Sequence, residues 1–240
     1  MIRLDKYLCD LGIGTRTEVK KHIKNGLVSV NDEVVNLAEY KVDEASDTVS
    51  YCGKKLCYAK FHYYMLHKPG DCVTANSDRT HKTVMEYLPS DLRRNLSAVG
   101  RLDLDTEGLL ILTDDGALNH HLVSPSHHVD KTYLAYLDCP VPKDSYSLFE
   151  TGIDIGDDKL TEPAVLEILE ENAEYQGKPV YPAKLTIHEG RFHQVKRMFE
   201  KVGCQVVYLK RLTVGPLSLG DLPMGSYRKL TEEEVSALKG

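Results

Sequence analysis

The sequence predicts an α+β fold, in which a small N-terminal module precedes a larger domain with a mixed, mainly antiparallel sheet. The first fifty residues contain two short helical patterns followed by a strand–turn–strand pattern. The remainder consists mostly of short apolar strands separated by Pro and Gly, with few helices. These strands and helices do not alternate with the regular βαβ order that a parallel sheet requires, which favours the antiparallel arrangement.

The N-terminal module begins with two helices. Leucines at helical spacing in "RLDKYLCDLG", residues 3–12, predict the first helix. The second opens with Thr15 and Glu18 in the capping-box arrangement and closes at Asn25, which precedes a glycine. The following "LVSVNDEVV", residues 27–35, predicts a strand, a turn and a second strand.

A linker is predicted over residues 53–60, so that the module covers residues 1–58 and the larger domain covers residues 59–240. Strand patterns occur in the larger domain at residues 61–68, 109–113, 131–137, 164–169, 182–188 and 204–212. Helical patterns occur there at residues 116–122, 143–151, 193–202 and 231–238.

The composition is typical of a soluble globular protein, with 42% hydrophobic and 28% charged residues. No apolar stretch is long enough to span a bilayer, and the charged start "MIRLDKYLCD" lacks the apolar core of a signal peptide. We therefore expect a cytoplasmic protein without a membrane partner. The six cysteines form no CxxC pair, and the paired histidines have no ligand spacing, so we expect reduced thiols and no metal site.

The charge is distributed unevenly around a formal net charge of −6. Residues 1–30 contain six Lys/Arg against three Asp/Glu, and residues 184–211 contain seven against two. Residues 150–175 contain nine acids against one lysine. Two basic patches and one acidic stretch indicate that a polyanion is bound by selected surfaces only.

A basic stripe follows the second helix, because Arg16, Lys20 and Lys24 recur every four residues. Most such stripes are solvated helix faces, but the order of elements adds weight to an RNA-binding interpretation. The stretch "RLDKYL…GIGTRTEVKKHIKNGLVSVNDEVV" resembles an S4 RNA-binding domain over residues 1 to about 50. The resemblance implies phosphate contacts by five side chains: Lys6, Arg16, Lys20, Lys21 and Lys24.

Five carboxylates surround a short apolar run in "GRLDLDTEGLLILTDDG", residues 100–116. A shared magnesium site is one interpretation. If "LLILT" is a strand, however, its five residues separate the two groups of acids by roughly 16 Å, which is too far for one ion. Asp114 and Asp115 are better explained as a turn and a helix start, and Asp105 and Glu107 as loop residues.

Asp103 differs from the other acids, because it follows Arg101 closely and precedes a polar loop that enters the buried strand. A carboxylate beside a cation stays ionised and can attack an electrophilic carbon or remove a proton. Lys196 is the candidate cation, since it lies at the border of the apolar face of the predicted helix 193–202. Tyr133 lies on a predicted strand, and nothing local sets it apart from other half-buried tyrosines.

Three separated stretches resemble one family. "GRLDLDTEGLLILTDDG", "SPSHHVDKTYLAYL" and "EGRFHQVKRMF" are similar to the catalytic motifs of RsuA-type pseudouridine synthases. The resemblance implies a pseudouridine synthase fold and the isomerisation, without a cofactor, of one uridine in small-subunit (16S) ribosomal RNA. It implies that Asp103, Tyr133 and Lys196 are catalytic and that Arg101 helps to extrude the target nucleotide. It also implies RNA contacts by three residues of the last motif: Arg191, His193 and Gln194.

Three other functions stay open at this point. A metal-dependent RNA hydrolase would need divalent ions, and a non-catalytic S4-type binder would keep its function after Asp103 is changed. A synthase of the same superfamily that acts on large-subunit (23S) RNA would share every catalytic residue. The residues also leave open whether Asp103 attacks C1′ or removes the C2′ proton. We expect a monomer whose partner is ribosomal RNA or a ribosomal assembly intermediate.

Overall fold

The chain divides into two compact units, Met1–Lys60 (unit 1) and Phe61–Gly240 (unit 2). The structure is a computed structural model that describes residues 1–44, 46–56, 58, 61–93, 95–170 and 173–240. The predicted α+β fold is confirmed. The predicted linker and domain boundary fall partly on residues 57, 59 and 60, which lie outside the described residues.

The described part of unit 1 contains two helices and two small antiparallel sheets. Its elements are β1 (Ile2–Arg3), α1 (Leu4–Asp10), α2 (Arg16–Lys24), β2 (Val28–Val30), β3 (Glu33–Val34), β4 (Lys41–Val42), β5 (Val49–Tyr51) and β6 (Lys54–Lys55). Strand β1 pairs with β4, and the second sheet has the order β3-β2-β5-β6. Both predicted helices and the predicted hairpin are confirmed.

The local sequence explains how α2 begins and which face it buries. The Thr15 hydroxyl accepts a hydrogen bond from the Glu18 backbone N–H, and the Glu18 carboxylate accepts one from the Thr15 N–H at 2.8 Å. This is the predicted capping box, which satisfies two orphan donors of the first turn. Val19 and Ile23 are fully buried with the apolar side chains of α1, so the basic face of α2 is left exposed.

Unit 2 is built on one large sheet. Its strands are β7 (Tyr63–Lys68), β8 (Ser97–Ala98), β9 (Glu107–Thr113), β10 (Lys131–Leu137), β11 (Val165–Ile168), β12 (Ala173–Tyr175), β13 (Lys178–Ile187), β14 (Val206–Val214), β15 (Leu217–Ser218) and β16 (Tyr227–Lys229). Its α-helices are α3 (Gly116–Val123), α4 (Tyr146–Thr151), α5 (Gln194–Lys201) and α6 (Glu232–Lys239). The 3₁₀ turns lie at Val84–Tyr87, Pro125–His127 and Lys143–Ser145.

The main path of this sheet is β11-β13-β10-β14-β9-β7-β16. Strands β14 and β9 run parallel, whereas the other neighbours on this path are antiparallel, so the predicted mixed, mainly antiparallel sheet is confirmed. Each predicted strand and helix of this unit overlaps an observed one, although the segment predicted as a helix at 143–151 is a 3₁₀ turn followed by α4. Within the described residues, no helix has the length and apolar character needed to cross a membrane.

Alternate residues of the strands enter two different cores. One core combines Tyr133 and Ala135 of β10 with Val195, Met198 and Phe199 of α5. The other core lies under α3 and α6 and contains the intervening residues of β7 and β9. The apolar face that the sequence predicts for α5 is therefore buried on the same side of the sheet as Tyr133.

Candidate active site

Asp103 lies in the loop between β8 and β9, and a buried lysine fixes that loop. The Lys68 ammonium donates hydrogen bonds to the backbone carbonyls of Thr106 at 2.8 Å, Pro69 at 3.0 Å and Leu104 at 3.2 Å. Lys68 is 0% exposed, and burial lowers the pKa of its ammonium. Because three carbonyls share this one cation, the backbone next to Asp103 has little freedom to move.

A threonine holds the other side of the same loop. The Thr74 hydroxyl donates to the Leu102 carbonyl at 2.8 Å and accepts from the Leu102 N–H at 3.1 Å. After the loop, β9 approaches β14 so closely at Gly108 that an added Cβ would collide with the Arg211 backbone. The loop is thus anchored both before and after Asp103.

Lys196 lies in the first turn of α5 between two carboxylates. Its Nζ is 3.8 Å from Asp103 Oδ2, and it donates hydrogen bonds of 2.6 and 2.8 Å to the two oxygens of Asp105. Partial desolvation raises the pKa of the Asp105 carboxyl. The hydrogen bond and charge of Lys196 lower this pKa by a larger amount, so it lies below its usual value. The sequence interpretation of Asp105 as a loop residue alone is therefore incomplete.

The Asp105 contact had a weak signal in the sequence. Asp105 follows Asp103 by two residues in the same loop, where Leu104 and Asp105 form a turn, so a cation that reaches one carboxylate is close to the other. The preference of Lys196 for one carboxylate over the other depends on where α5 lies against the loop, and no local pattern specifies that.

His193 approaches Asp103 from the residue that precedes α5. Its backbone has a positive φ of 50°, and its Nε2 is 3.5 Å from Asp103 Oδ1. Asp103 is 28% exposed in its side chain. One partly exposed carboxylate therefore faces an imidazole on one oxygen and an ammonium on the other.

Tyr133 is buried on β10, with 7% exposure. It is paired with Leu185 of β13 and Arg211 of β14, next to an irregularity in the β10–β14 register. Its side chain belongs to the core that Val195 of α5 also enters. The structure thus brings Asp103, His193 and Lys196 together directly and places Tyr133 on the sheet face that α5 covers.

Arg191 and Gln194, two of the residues predicted to contact RNA, have contacts within the protein, and their RNA contacts stay predictions. The Arg191 guanidinium donates to Glu189 at 2.8 Å and to the carbonyls of Lys159 and Leu160 at 2.7 Å. The Gln194 side chain is buried, accepts from the Arg191 N–H and donates to Glu189, both at 2.9 Å. The buried Glu189 carboxylate explains this arrangement, because it needs donors once it is removed from water.

The other predicted RNA-binding side chains are on the surface. Arg101 is exposed, as are Arg16, Lys20, Lys21 and Lys24 of α2. Within the described part of the chain, these five side chains form no ion pair. Lys6 differs, because it pairs with Asp10 one helical turn away at 2.6 Å. The phosphate contacts themselves stay predictions.

The remaining acids of the "GRLDLDTEGLLILTDDG" motif have structural partners. Asp115 caps α3 by accepting from the backbone N–H groups of its first turn, which confirms the predicted helix start. Asp114 accepts from the His62 N–H at 2.6 Å, and Glu107 accepts from the Tyr208 hydroxyl at 2.6 Å. Among the residues that the structure describes, no three His, Cys, Asp or Glu side chains are placed to hold one metal ion.

Comparison with known proteins agrees with this geometry. Residues 62–201 match the family model described as RNA pseudouridylate synthase, and residues 2–49 match the S4 domain model. The first match covers more than half of the chain. The chain belongs to the RNA pseudouridylate synthase family. The family predicted from the sequence is thereby confirmed, and this pseudouridylate synthase carries an N-terminal S4 domain.

Full-length relatives of this pseudouridylate synthase include "Ribosomal small subunit pseudouridine synthase A" of Escherichia coli (strain K12). The two are 41% identical over 243 residues, which covers 99% of this chain and 100% of the relative. An RNA pseudouridine synthase of Bacillus subtilis (strain 168), whose name specifies no substrate, is 41% identical over 99% of this chain and 98% of the relative. A solved structure, "Crystal structure of pseudouridylate synthase", is 37% identical, with a TM-score of 0.68 and coverage of 99% and 100%.

Proposed function

We propose that this pseudouridylate synthase converts one specific uridine of small-subunit (16S) ribosomal RNA to pseudouridine and that Asp103 carries the reaction. The supporting observation is a partly exposed carboxylate on an anchored loop, between His193 and Lys196. The substrate follows from the relatives that are named for the small ribosomal subunit and align over their whole length, in Escherichia coli and in Vibrio cholerae.

The chemistry suits a single carboxylate. The N1–C1′ bond of uridine breaks, the uracil turns, a C5–C1′ bond forms, the C5 proton leaves and N1 takes up a proton. Asp103 either attacks C1′ or removes the C2′ proton to give a glycal, and it must be ionised for both routes. Lys196 provides positive charge beside one oxygen of Asp103, and the His193 imidazole lies beside the other. The bond changes need neither a redox cofactor nor a group donor.

The other residues serve the base and its extrusion. Tyr133 stacks on the uracil and helps to remove the C5 proton. The target must leave its stack, which costs a few kcal/mol and less in a loop or in unfolded RNA. Arg101, exposed and two residues before the catalytic carboxylate, helps to extrude the nucleotide.

The S4 domain holds the RNA backbone. Its exposed stripe of Arg16, Lys20 and Lys24, with the neighbouring Lys6 and Lys21, contacts phosphates and offsets the cost of extrusion. The substrate is ribosomal RNA or an assembly intermediate, since a finished ribosome packs most of its RNA too tightly to release a base. The enzyme acts in the cytoplasm as a monomer.

The deciding experiment maps pseudouridines by carbodiimide treatment and primer extension in ribosomal RNA from cells with and without the gene. One mark in the small-subunit RNA is expected to disappear and to return with the parent gene, but not with Asp103→Asn. A lost mark in the large-subunit RNA would overturn the proposed substrate and leave the reaction standing. Full restoration by Asp103→Asn would overturn the catalytic assignment.

A further inference from the structure

Phe192 is an exposed aromatic side chain beside the catalytic loop. It is 75% exposed, whereas Phe149 and Phe199 are fully buried. Its ring is stacked on the His193 imidazole, with ring centroids 3.8 Å apart and an angle of 16° between the planes. That imidazole is the group whose Nε2 lies 3.5 Å from Asp103 Oδ1. A single imidazole therefore contacts both the phenyl ring and the catalytic carboxylate.

The segment that carries Phe192 is fixed on both sides. Arg191 is held by Glu189 and two carbonyls, as described above. The Arg197 guanidinium donates to the Phe192 carbonyl at 3.0 Å, and Asp157 holds that guanidinium at 2.6 Å. His193 is fixed in turn by its backbone, which caps α5. The open face of the phenyl ring is thus presented to solvent by a preorganised segment, so little conformational entropy is lost when a ligand covers it.

The chemistry of the ring selects the kind of ligand. A phenyl ring has neither charge nor hydrogen-bonding groups, so it does not bind phosphate. Its flat face suits a nucleobase, and extrusion of the target uridine leaves the neighbouring base unstacked on one side. Base–aromatic stacking tolerates every base, because each has a π-face.

We infer that Phe192 stacks on the nucleobase adjacent to the target uridine and positions that nucleotide beside Asp103. This inference rests on the proposed function, because it requires an RNA strand at this site. Phe192 is a positioning residue, since it acts on the neighbour of the reacting nucleotide. The reacting uridine itself contacts Tyr133 and Asp103 in the proposed function.

The first test compares Phe192→Ala, Phe192→Leu and Phe192→Tyr with the parent enzyme. The substrates are transcripts of both ribosomal RNAs with tritium at C5 of uracil, which is released to water as pseudouridine forms. The single-turnover rate at subsaturating enzyme should fall about 5- to 150-fold for Ala, the equivalent of about 1–3 kcal/mol. Leu should also be slow, because it is apolar but not flat, whereas Tyr should restore the rate. Tyr181→Ala is the matched control, since Tyr181 is a 44% exposed aromatic on β13.

The second test locates the stacking partner. Stem-loop RNAs around the uridine that the parent modifies carry an abasic nucleotide on one side or the other. On one side the abasic substitution should slow the parent and have no further effect on Phe192→Ala, which is the non-additivity expected of a shared contact. Parent-like turnover by Phe192→Ala, or additive effects on both sides, would overturn the inference. If the parent modifies only large-subunit RNA, the proposed substrate fails, and the same comparison on that RNA still decides the role of Phe192.

Discussion

At the scale of single residues, two neighbouring carboxylates, Asp103 and Asp105, have different surroundings and different expected roles. Asp103 is the one that His193 and Lys196 both approach, whereas Asp105 is 68% exposed in its side chain and contacts Lys196. We expect Asp103→Asn to abolish pseudouridine formation and to leave RNA affinity nearly unchanged, because the amide keeps the shape and loses the nucleophile or base. Tritium release and filter binding on the same transcript measure the two quantities.

Asp105→Asn is the matched control. An exposed ion pair is worth about 0–1 kcal/mol, so its loss should change the rate by no more than about fivefold. The assignment would be reversed if Asp105→Asn abolished turnover and Asp103→Asn did not. Equal losses of turnover in both variants would mean that both carboxylates are needed to hold Lys196 in its active position.

Lys68 acts on the catalytic loop without reaching solvent. Lys68→Met removes the buried donor from the carbonyls of Pro69, Leu104 and Thr106. We expect the free energy of unfolding to fall by about 1–3 kcal/mol, the typical cost of one unsatisfied buried acceptor, because only the contact with the Thr106 carbonyl is fully buried. We also expect the maximal rate to fall more than RNA affinity, because Asp103 loses its fixed position while the RNA-facing surface is intact.

Thermal unfolding and single-turnover kinetics check both parts of the Lys68 prediction. Lys143→Met, at an exposed lysine of the same unit, should leave both unchanged. A Lys68→Met enzyme with the stability and rate of the parent would show that the loop does not depend on this lysine.

At the scale of elements, α2 presents a stripe of free positive charge on the S4 domain. Replacing Arg16, Lys20 and Lys24 by Gln keeps good helix formers in place and removes three charges. Each lost phosphate contact should lower the slope of log affinity against log salt by about 0.7–0.9, so the triple variant should lose about 2–3. The measurement is RNA affinity across a salt series.

The matched control for this stripe removes three charges from unit 2. Lys143, Lys159 and Lys178 are exposed, and their replacement by Gln changes the net charge by the same amount. The slope should then stay at the parent value. Equal losses of slope in both triple variants would show that α2 has no specific RNA contact.

Elements with strong patterns were predictable from the sequence, and short ones without a pattern were not. Strand β10 matches its prediction at residues 131–137, and the α2 capping box was readable from Thr15 and Glu18. Strand β16 has only three residues, Tyr-Arg-Lys, and forms because its backbone pairs with the free edge of β7. Pairing between distant segments supplies such strands, and a local periodicity cannot show it.

The same reasoning explains the gaps in the predicted site. The residues that we propose as catalytic were identified through motifs, but their contacts depend on packing. Lys196 and Asp105 are 91 positions apart in sequence and meet only because α5 packs beside the β8–β9 loop. The motif predicts an RNA contact for Gln194 and does not show that its side chain is buried and donates to the buried Glu189 carboxylate.

At the scale of the whole molecule, the acidic stretch of residues 150–175 reduces the free positive charge of unit 2. Asp157 pairs with Arg197 at 2.6 Å and with Arg191 at 3.6 Å, and Glu167 pairs with Lys184 at 3.4 Å. Three of the basic residues counted between 184 and 211 are therefore paired with this acidic stretch, and a fourth, Lys196, is paired with Asp105. The salt dependence of RNA binding should then be carried more by the S4 domain than the count of charges suggests.

The bonds that break and form in the reaction lead to a prediction for the complete enzyme and its RNA. Both the bond that breaks and the bond that forms involve C1′ of one nucleoside, and the carboxylate, ammonium and aromatic groups needed for this belong to the chain itself. We therefore expect full turnover in excess chelator without any added cofactor. Because magnesium also folds RNA, the transcript is chemically probed under the same conditions, and a short stem-loop that folds in monovalent salt serves as a second substrate. Loss of turnover in chelator that magnesium restores, while the probing pattern of the RNA stays the same, would show that a metal ion takes part and would favour hydrolase-like chemistry.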